Sequence, residues 1–67
     1  MIEVQVNGAA QRFESDTDVA AVLERLQLTG KRVAVERNGE IVPRSRFAQT
    51  ALASGDRLEI VVAVGGG

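Results

Sequence analysis

The sequence predicts an α+β domain in which one amphipathic helix lies on one face of a mixed β-sheet of four to five strands. Three observations carry this expectation. The chain opens on a strictly alternating segment that turns back at Asn7-Gly8. A single apolar stripe of helical period follows, and a second Asn-Gly turn and a closing apolar strand come after it. A period of two marks a half-buried strand and a period near 3.6 marks an amphipathic helix, so the order reads hairpin, helix, hairpin, loop, strand.

Ile2, Val4 and Val6 fall on one face of the opening segment, with Glu3, Gln5 and Asn7 on the other. Asn7-Gly8 accepts the positive φ angles of a tight hairpin, so Ala9 to Phe13 is read as the returning strand. Ser15-Asp16-Thr17-Asp18 is a helix-start cluster. Ser15 offers an oxygen to a free backbone N–H, while Asp16 and Asp18 suit the positive end of the helix dipole. Val19, Val22, Leu23 and Leu26 then form one stripe, with Glu24, Arg25 and Gln27 on the wet side. Gly30 is expected to end the helix in the left-handed conformation, close to Lys31 and Arg32.

Val33 to Arg37 reads as the next strand, Asn38-Gly39 as its turn and Glu40-Ile41-Val42 as a short return. Pro43 lacks an amide hydrogen and closes that strand. Ser45 to Ala53 follows neither period; Phe47, Ala48 and Leu52 anchor either a short helical turn or a loop over the core. Gly55-Asp56 is read as a simple turn into the last strand, Arg57 to Val62, with Leu58, Ile60 and Val62 inward. The strands at the two chain ends should pair in parallel at the sheet centre, because the helix supplies the crossover that parallel pairing requires. The expected core comprises Val4, Val6, Val22, Leu26, Val35, Leu58 and Ile60.

At 67 residues the chain holds one domain, read as residues 1–64 with a flexible glycine tail at 65–67. A domain of this size buries only roughly 60% of its unfolded surface, so its aliphatic packing must be efficient. It has no cysteine and no histidine, which removes disulfides, thiolate nucleophiles, a histidine base and the usual zinc spacings. No catalytic residue, metal site or bound cofactor is therefore expected. Eight basic against nine acidic residues, with two aromatics, leave neither a polybasic block nor a stacking surface for nucleic acid. The run from Ile60 to Val64 is far below the ~20 residues of a membrane span, and Met1 leads directly into a strand pattern. A soluble, cytoplasmic protein is the expectation.

The last strand runs directly into Gly65-Gly66-Gly67. Glycine has no Cβ, so such a tail can extend and pass through a slot too narrow for other residues. No helix follows it, so it is not a phosphate-binding loop. The order of elements resembles the ubiquitin-like β-grasp fold. More narrowly, Ile2, Asn7-Gly8, the stretch Asn38-Gly39-Glu40-Ile41-Val42-Pro43-Arg44 with Phe47 beyond, Gly55-Asp56, Leu58-Glu59-Ile60 and the closing Gly66-Gly67 resemble the sulfur carriers of thiamine biosynthesis. Phe47 stands where many members of that family carry tryptophan. Gly65 adds a third glycine, so Gly66-Gly67 is taken as the working pair.

That resemblance implies a role for the tail. An ATP-dependent adenylating enzyme converts the Gly67 carboxylate to an acyl-adenylate. A cysteine-derived persulfide then replaces AMP with sulfur, and the resulting thiocarboxylate supplies thiazole synthase. Gly67 is the expected attachment point and Gly65 and Gly66 its lead; ATP belongs to the partner. In the last strand Val61 and Ala63, with Val64 beyond, are expected to leave apolar surface uncovered near the tail, a docking patch in one reading and ordinary central-strand residues in another. Arg44, Arg46 and Arg57 are candidates for steering an acidic partner, or simply part of the solvated surface. Three alternative functions remain open at this level: the small subunit of a molybdopterin synthase, a ubiquitin-like modifier of lysines, and an interaction domain with an inert tail.

Overall fold

The computed structural model describes residues 1–63. Five strands form one sheet: β1 (Ile2–Val6), β2 (Ala9–Phe13), β3 (Val33–Arg37), β4 (Glu40–Val42) and β5 (Arg57–Val62). Helix α1 (Val19–Arg25) follows β2, and a 3-10 helix at Arg44–Gln49 leads out of β4. The strand order is β2-β1-β5-β3-β4, so the chain's last strand occupies the centre. β1 and β5 are parallel, with Gln5 opposite Arg57 and Val6 opposite Leu58, while every other pairing is antiparallel. This is the expected β-grasp arrangement, with the full five strands.

One core fills the space between the sheet and α1. Val4, Phe13, Val19, Val22, Val35 and Leu58 are its fully buried members, joined by Val6, Leu23, Val42, Phe47, Leu52 and Ile60. At about 25 cal/mol per Å² of apolar surface removed from water, these apolar side chains dominate stability in a chain without disulfides. Arg25 lies over the Phe13 ring at 5.1 Å from its centroid and donates to the Arg12 carbonyl, closing one side of the core. The irregular stretch resolves as predicted for Phe47 and Leu52, both buried; Ala48 is exposed and anchors nothing. Leu26, expected in the core, is half-buried at its margin, and Val62 points inward yet is 37% exposed at the sheet's end.

Both helix boundaries differ from expectation. Ser15 and Asp16 occupy a turn closed by the Thr17 N–H donating to the Glu14 carbonyl, so neither caps the helix. Asp18 does, its Oδ1 accepting from the Ala21 N–H at 2.8 Å. The reason is tertiary: the Leu52 N–H donates to the Thr17 carbonyl and the Val19 N–H to the Thr50 carbonyl, so the chain stays extended through Asp18. At the other end α1 stops at Arg25, well before Gly30. Gln27, at φ 60°, takes the left-handed position; its N–H donates to the Glu24 carbonyl and the Leu28 N–H to the Leu23 carbonyl. These are the paired bonds of a Schellman cap, and they return Leu28 to pack on the core.

A side chain at that left-handed position carries a penalty of about 1–2 kcal/mol. Gln27→Gly should therefore raise stability by about 0.5–1 kcal/mol after allowing for the looser unfolded chain. Thermal unfolding followed by circular dichroism should show Tm rising by roughly 2–8 °C. A lowered Tm would refute the cap assignment.

Candidate functional site: the closing strand and its open face

β5 carries the glycine tail, and its surroundings follow from its central place. On one side β3 pairs with it from Arg37–Leu58 to Val33–Val62, and the Ala63 N–H continues the ladder to the Arg32 carbonyl at 2.8 Å. On the other side β1 bonds it through the Gln5 N–H to the Asp56 carbonyl and the Asn7 N–H to the Leu58 carbonyl. Two Asn-Gly turns tighten this grip. Asn7 and Asn38 have φ of 51° and 52°, and Gly8 and Gly39 each have φ of 86°, the all-positive pattern of hairpin turns that Asn-Gly favours. Each asparagine also reaches across to β5. Asn7 bonds both main-chain groups of Ile60, and Asn38 Oδ1 accepts from the Arg57 N–H at 2.9 Å.

Asp56, read from sequence as part of a plain turn, is a hub. It is buried, and its carboxylate accepts from Arg37 Nε at 2.9 Å, Asn38 Nδ2 at 3.0 Å and the Ala53 N–H at 2.9 Å. The Arg37–Asp56 pair is the only salt bridge among the described residues. Burial pushes the Asp56 carboxyl up, but the hydrogen bonds from Asn38, Ala53 and Arg37 and the Arg37 charge outweigh it and hold the pKa below its ordinary value. The hub locks the entrance of β5 to the end of β3. The sequence signal for it was an aspartate immediately before a buried strand, with a basic residue and an asparagine adjoining the second turn.

The sheet face away from α1 is open. Val61 stands on it 62% exposed, opposite Ala34, and Ala63 is exposed beyond it. Ile41, 76% exposed, shares this face because it pairs with Glu36, which in turn pairs with Glu59. Ile41 was not picked out from sequence. Two adjacent aliphatics in the short β4 must point to opposite faces, which is the signal that could have found it. Glu36 and Glu59, like charges directly opposite one another, line a shallow depression of about 340 Å³ with Arg57, Asn38 and Gly39.

The three arginines border three different depressions. Arg44 borders a depression with α1, Arg46 borders one with Arg37 and Thr50, and Arg57 lies on the open face. Arg44 and Arg46 both belong to the 3-10 helix that follows β4, whereas Arg57 opens β5. Val64, Gly65, Gly66 and Gly67 lie outside the described residues. Among the described residues no group of His, Cys, Asp and Glu could hold a metal ion, and no helix is long and apolar enough to cross a membrane.

Known proteins share this architecture and sequence. The crystal structure of a thiamine biosynthesis protein (ThiS) from Geobacter metallireducens superposes with a TM-score of 0.82 at 30% identity, covering 98% of this chain and 100% of that one. The Bacillus subtilis sulfur carrier protein ThiS is 40% identical over 65 residues, 96% of this chain and 98% of its own. A thiazole synthase from Paramagnetospirillum magneticum is 46% identical over 66 residues; the match takes in 98% of this chain but only 20% of that protein's length. The ThiS family's sequence model matches residues 4–67, from the second apolar residue of β1 through the last glycine, and this chain belongs to that family.

Proposed function

We propose that this chain is a sulfur carrier of thiamine biosynthesis, in which the Gly67 carboxylate is the carrying group and all reactivity comes from partner enzymes. The observation that carries the proposal is the near end-to-end match to the Bacillus carrier, 96% of one chain on 98% of the other. A carboxylate is an anion at neutral pH and a poor electrophile, with an ordinary pKa of about 3.3–3.7 at a chain terminus. Adenylation overcomes this: a Gly67 oxygen attacks the α-phosphorus of ATP, pyrophosphate leaves, and the acyl-adenylate carbonyl becomes electrophilic. The terminal sulfur of a cysteine-derived persulfide then displaces AMP. A second thiol cleaves the sulfur–sulfur bond, leaving a thiocarboxylate on Gly67. The chain is thus a carrier and co-substrate, and ATP is bound by the adenylating enzyme.

Thiazole synthase is the proposed recipient. In the Paramagnetospirillum protein of that name, a segment 46% identical to this chain forms about a fifth of the polypeptide, which supports a functional link between the two activities. The open sheet face supports docking close to the tail, since Val61 and Ala63 expose apolar surface at the end of β5, with Ile41 on the same face two strands away beyond Glu59 and Glu36. Incubation with adenylating enzyme, ATP and a sulfur source should give an intact mass shifted by exchange of one oxygen for sulfur at Gly67. An unchanged mass, or a mature chain continuing beyond Gly67, would refute the carrier reading. Restored growth without thiamine in a carrier-deficient host assigns the pathway.

Val61→Lys tests the docking face. A lysine at this exposed site leaves the core intact and places a charged head where the proposed interface is apolar. Affinity for both enzymes, measured by titration calorimetry, should fall at least about tenfold, the equivalent of 1.4 kcal/mol. Unchanged affinities would remove Val61 from the interface.

A further inference from the structure

The geometry points to Asn7 as a positioning residue for the acyl tail, an inference that rests on the carrier reading above. β1 parts from β5 at its first turn, where register pairing ends at Val6–Leu58 and the last main-chain bond runs from the Asn7 N–H to the Leu58 carbonyl at 2.9 Å. Alternate residues of a strand direct their main-chain groups to the same neighbour, so Ile60 is the next residue of β5 to face the β1 side. No β1 residue remains to meet it. The Asn7 side chain takes that place: its Oδ1 accepts from the Ile60 N–H at 2.7 Å and its Nδ2 donates to the Ile60 carbonyl at 3.1 Å. One carboxamide supplies the acceptor and donor that two successive alternate positions of a continued parallel β1 would have supplied. The left-handed backbone of Asn7, at φ 51°, is therefore both a turn conformation and the means of laying its amide along β5.

Among the described residues, Ile60 is consequently the last position of β5 held from both sides. Beyond it only β3 continues, through Val62–Val33 and the Ala63–Arg32 bond. Val64 and the glycines begin four residues after Ile60. Under the carrier reading, a reacting carbonyl at Gly67 must be delivered to a partner's active site, and displacement by about 1 Å can cost roughly a hundredfold in rate. The clamp on Ile60 fixes the β1 side of β5, and the β3 bonds at Val62 and Ala63 carry the strand from there toward the tail. Asn38 provides an internal comparison: it has the same turn geometry and the same kind of grip, with its N–H donating to the Arg57 carbonyl at 2.8 Å, but at the opposite end of β5.

The test compares Asn7→Gly, Asn7→Asp and Asn38→Gly in steady-state loading by the adenylating enzyme with ATP and sulfur donor, read by intact mass. Glycine accepts the turn angles without a side chain, so N7G removes only the clamp. Amide hydrogen exchange at Ile60 should quicken in N7G, and kcat should fall about ten- to a hundredfold with little change in KM, because the docking face is untouched. N7D keeps the acceptor for the Ile60 N–H but sets a carboxylate oxygen against the Ile60 carbonyl, so its kcat should fall at least as far as that of N7G. N38G should keep the wild-type kcat at saturating carrier, whatever it costs in stability. A wild-type kcat in folded N7G, or an equal fall in N38G, overturns the inference and leaves the carrier reading standing. Should N7G not fold, N7D decides: a lowered kcat supports the inference and a wild-type kcat overturns it. Failure of the wild-type chain to load overturns the carrier reading itself, and the inference with it.

Discussion

Gly66→Val should leave the domain folded and abolish sulfur loading at Gly67. Among the described residues the hydrophobic cluster ends in sequence at Ile60, six positions before the substitution, so its effect on stability should stay within about 0.5 kcal/mol. Its effect on chemistry is expected to be large. Under the proposed function the same carbonyl carbon must be reached first by the adenylating enzyme and later by thiazole synthase. Each has to close around an extended lead, and a branched side chain widens that lead and restricts its backbone to fewer conformations. Loading should fall by at least about a hundredfold in single-turnover experiments read by intact mass, the scale expected when a reacting group is displaced by about 1 Å. Gly66→Ala, which adds one methyl group, should fall between. The thermal transition of both variants should match wild type. A valine variant that accepts sulfur at the wild-type rate would show that no narrow passage exists.

Much of the fold was legible because its pattern is local. Strict alternation over Ile2 to Val6, two Asn-Gly turns and one stripe of helical period dictate the order of elements, and a parallel pairing of the chain ends follows from the single crossover helix. What was misread depends on contacts far along the chain. Ser15 lost the cap to Asp18 because Thr50 and Leu52 hold the intervening backbone extended, a constraint invisible in a window around the helix. Gly30 lost the helix stop to Gln27 because Leu28 has to return to the core, and tertiary burial overrode glycine's conformational advantage. The same holds for the site. Exposure of Val61 and Ala63 followed from alternation along β5, whereas Ile41 joins them only through the β3–β4 register. Both asparagines carried a turn signal, but nothing in a dipeptide reveals that its side chain bonds a strand 53 or 19 residues away. Arg44, Arg46 and Arg57 border three different depressions, a distribution set by tertiary structure that no local pattern reveals.

Asp56→Ala should be the most destabilising single change outside the apolar core. The carboxylate holds three donors from three parts of the chain: the end of β3, the second hairpin turn and the loop preceding β5. Truncation leaves the Ala53 N–H and the Asn38 amide without their acceptor and the Arg37 guanidinium without its counter-ion. Arg37 is partly exposed and can turn to water, so its share is discounted. The loss from the other two, together with the buried charge-assisted bonding, amounts to about 2–4 kcal/mol. Tm should fall by at least about 8 °C. The pH dependence gives an independent check. The folded-state pKa of Asp56 lies below the ordinary value of 3.8, so the unfolded chain binds this proton first on acidification. Its stabilisation is therefore fully present above about pH 4 and is lost as pH falls through the folded-state pKa. Asp56→Asn, which cannot titrate and sets its own amide donors against Asn38 Nδ2, should be destabilised at neutral pH and show a flatter acid limb than wild type. Parallel acid limbs in the two proteins would assign the acid sensitivity to other carboxylates, and a D56A transition within a degree or two of wild type would show that the hub adds nothing to the grip on β5.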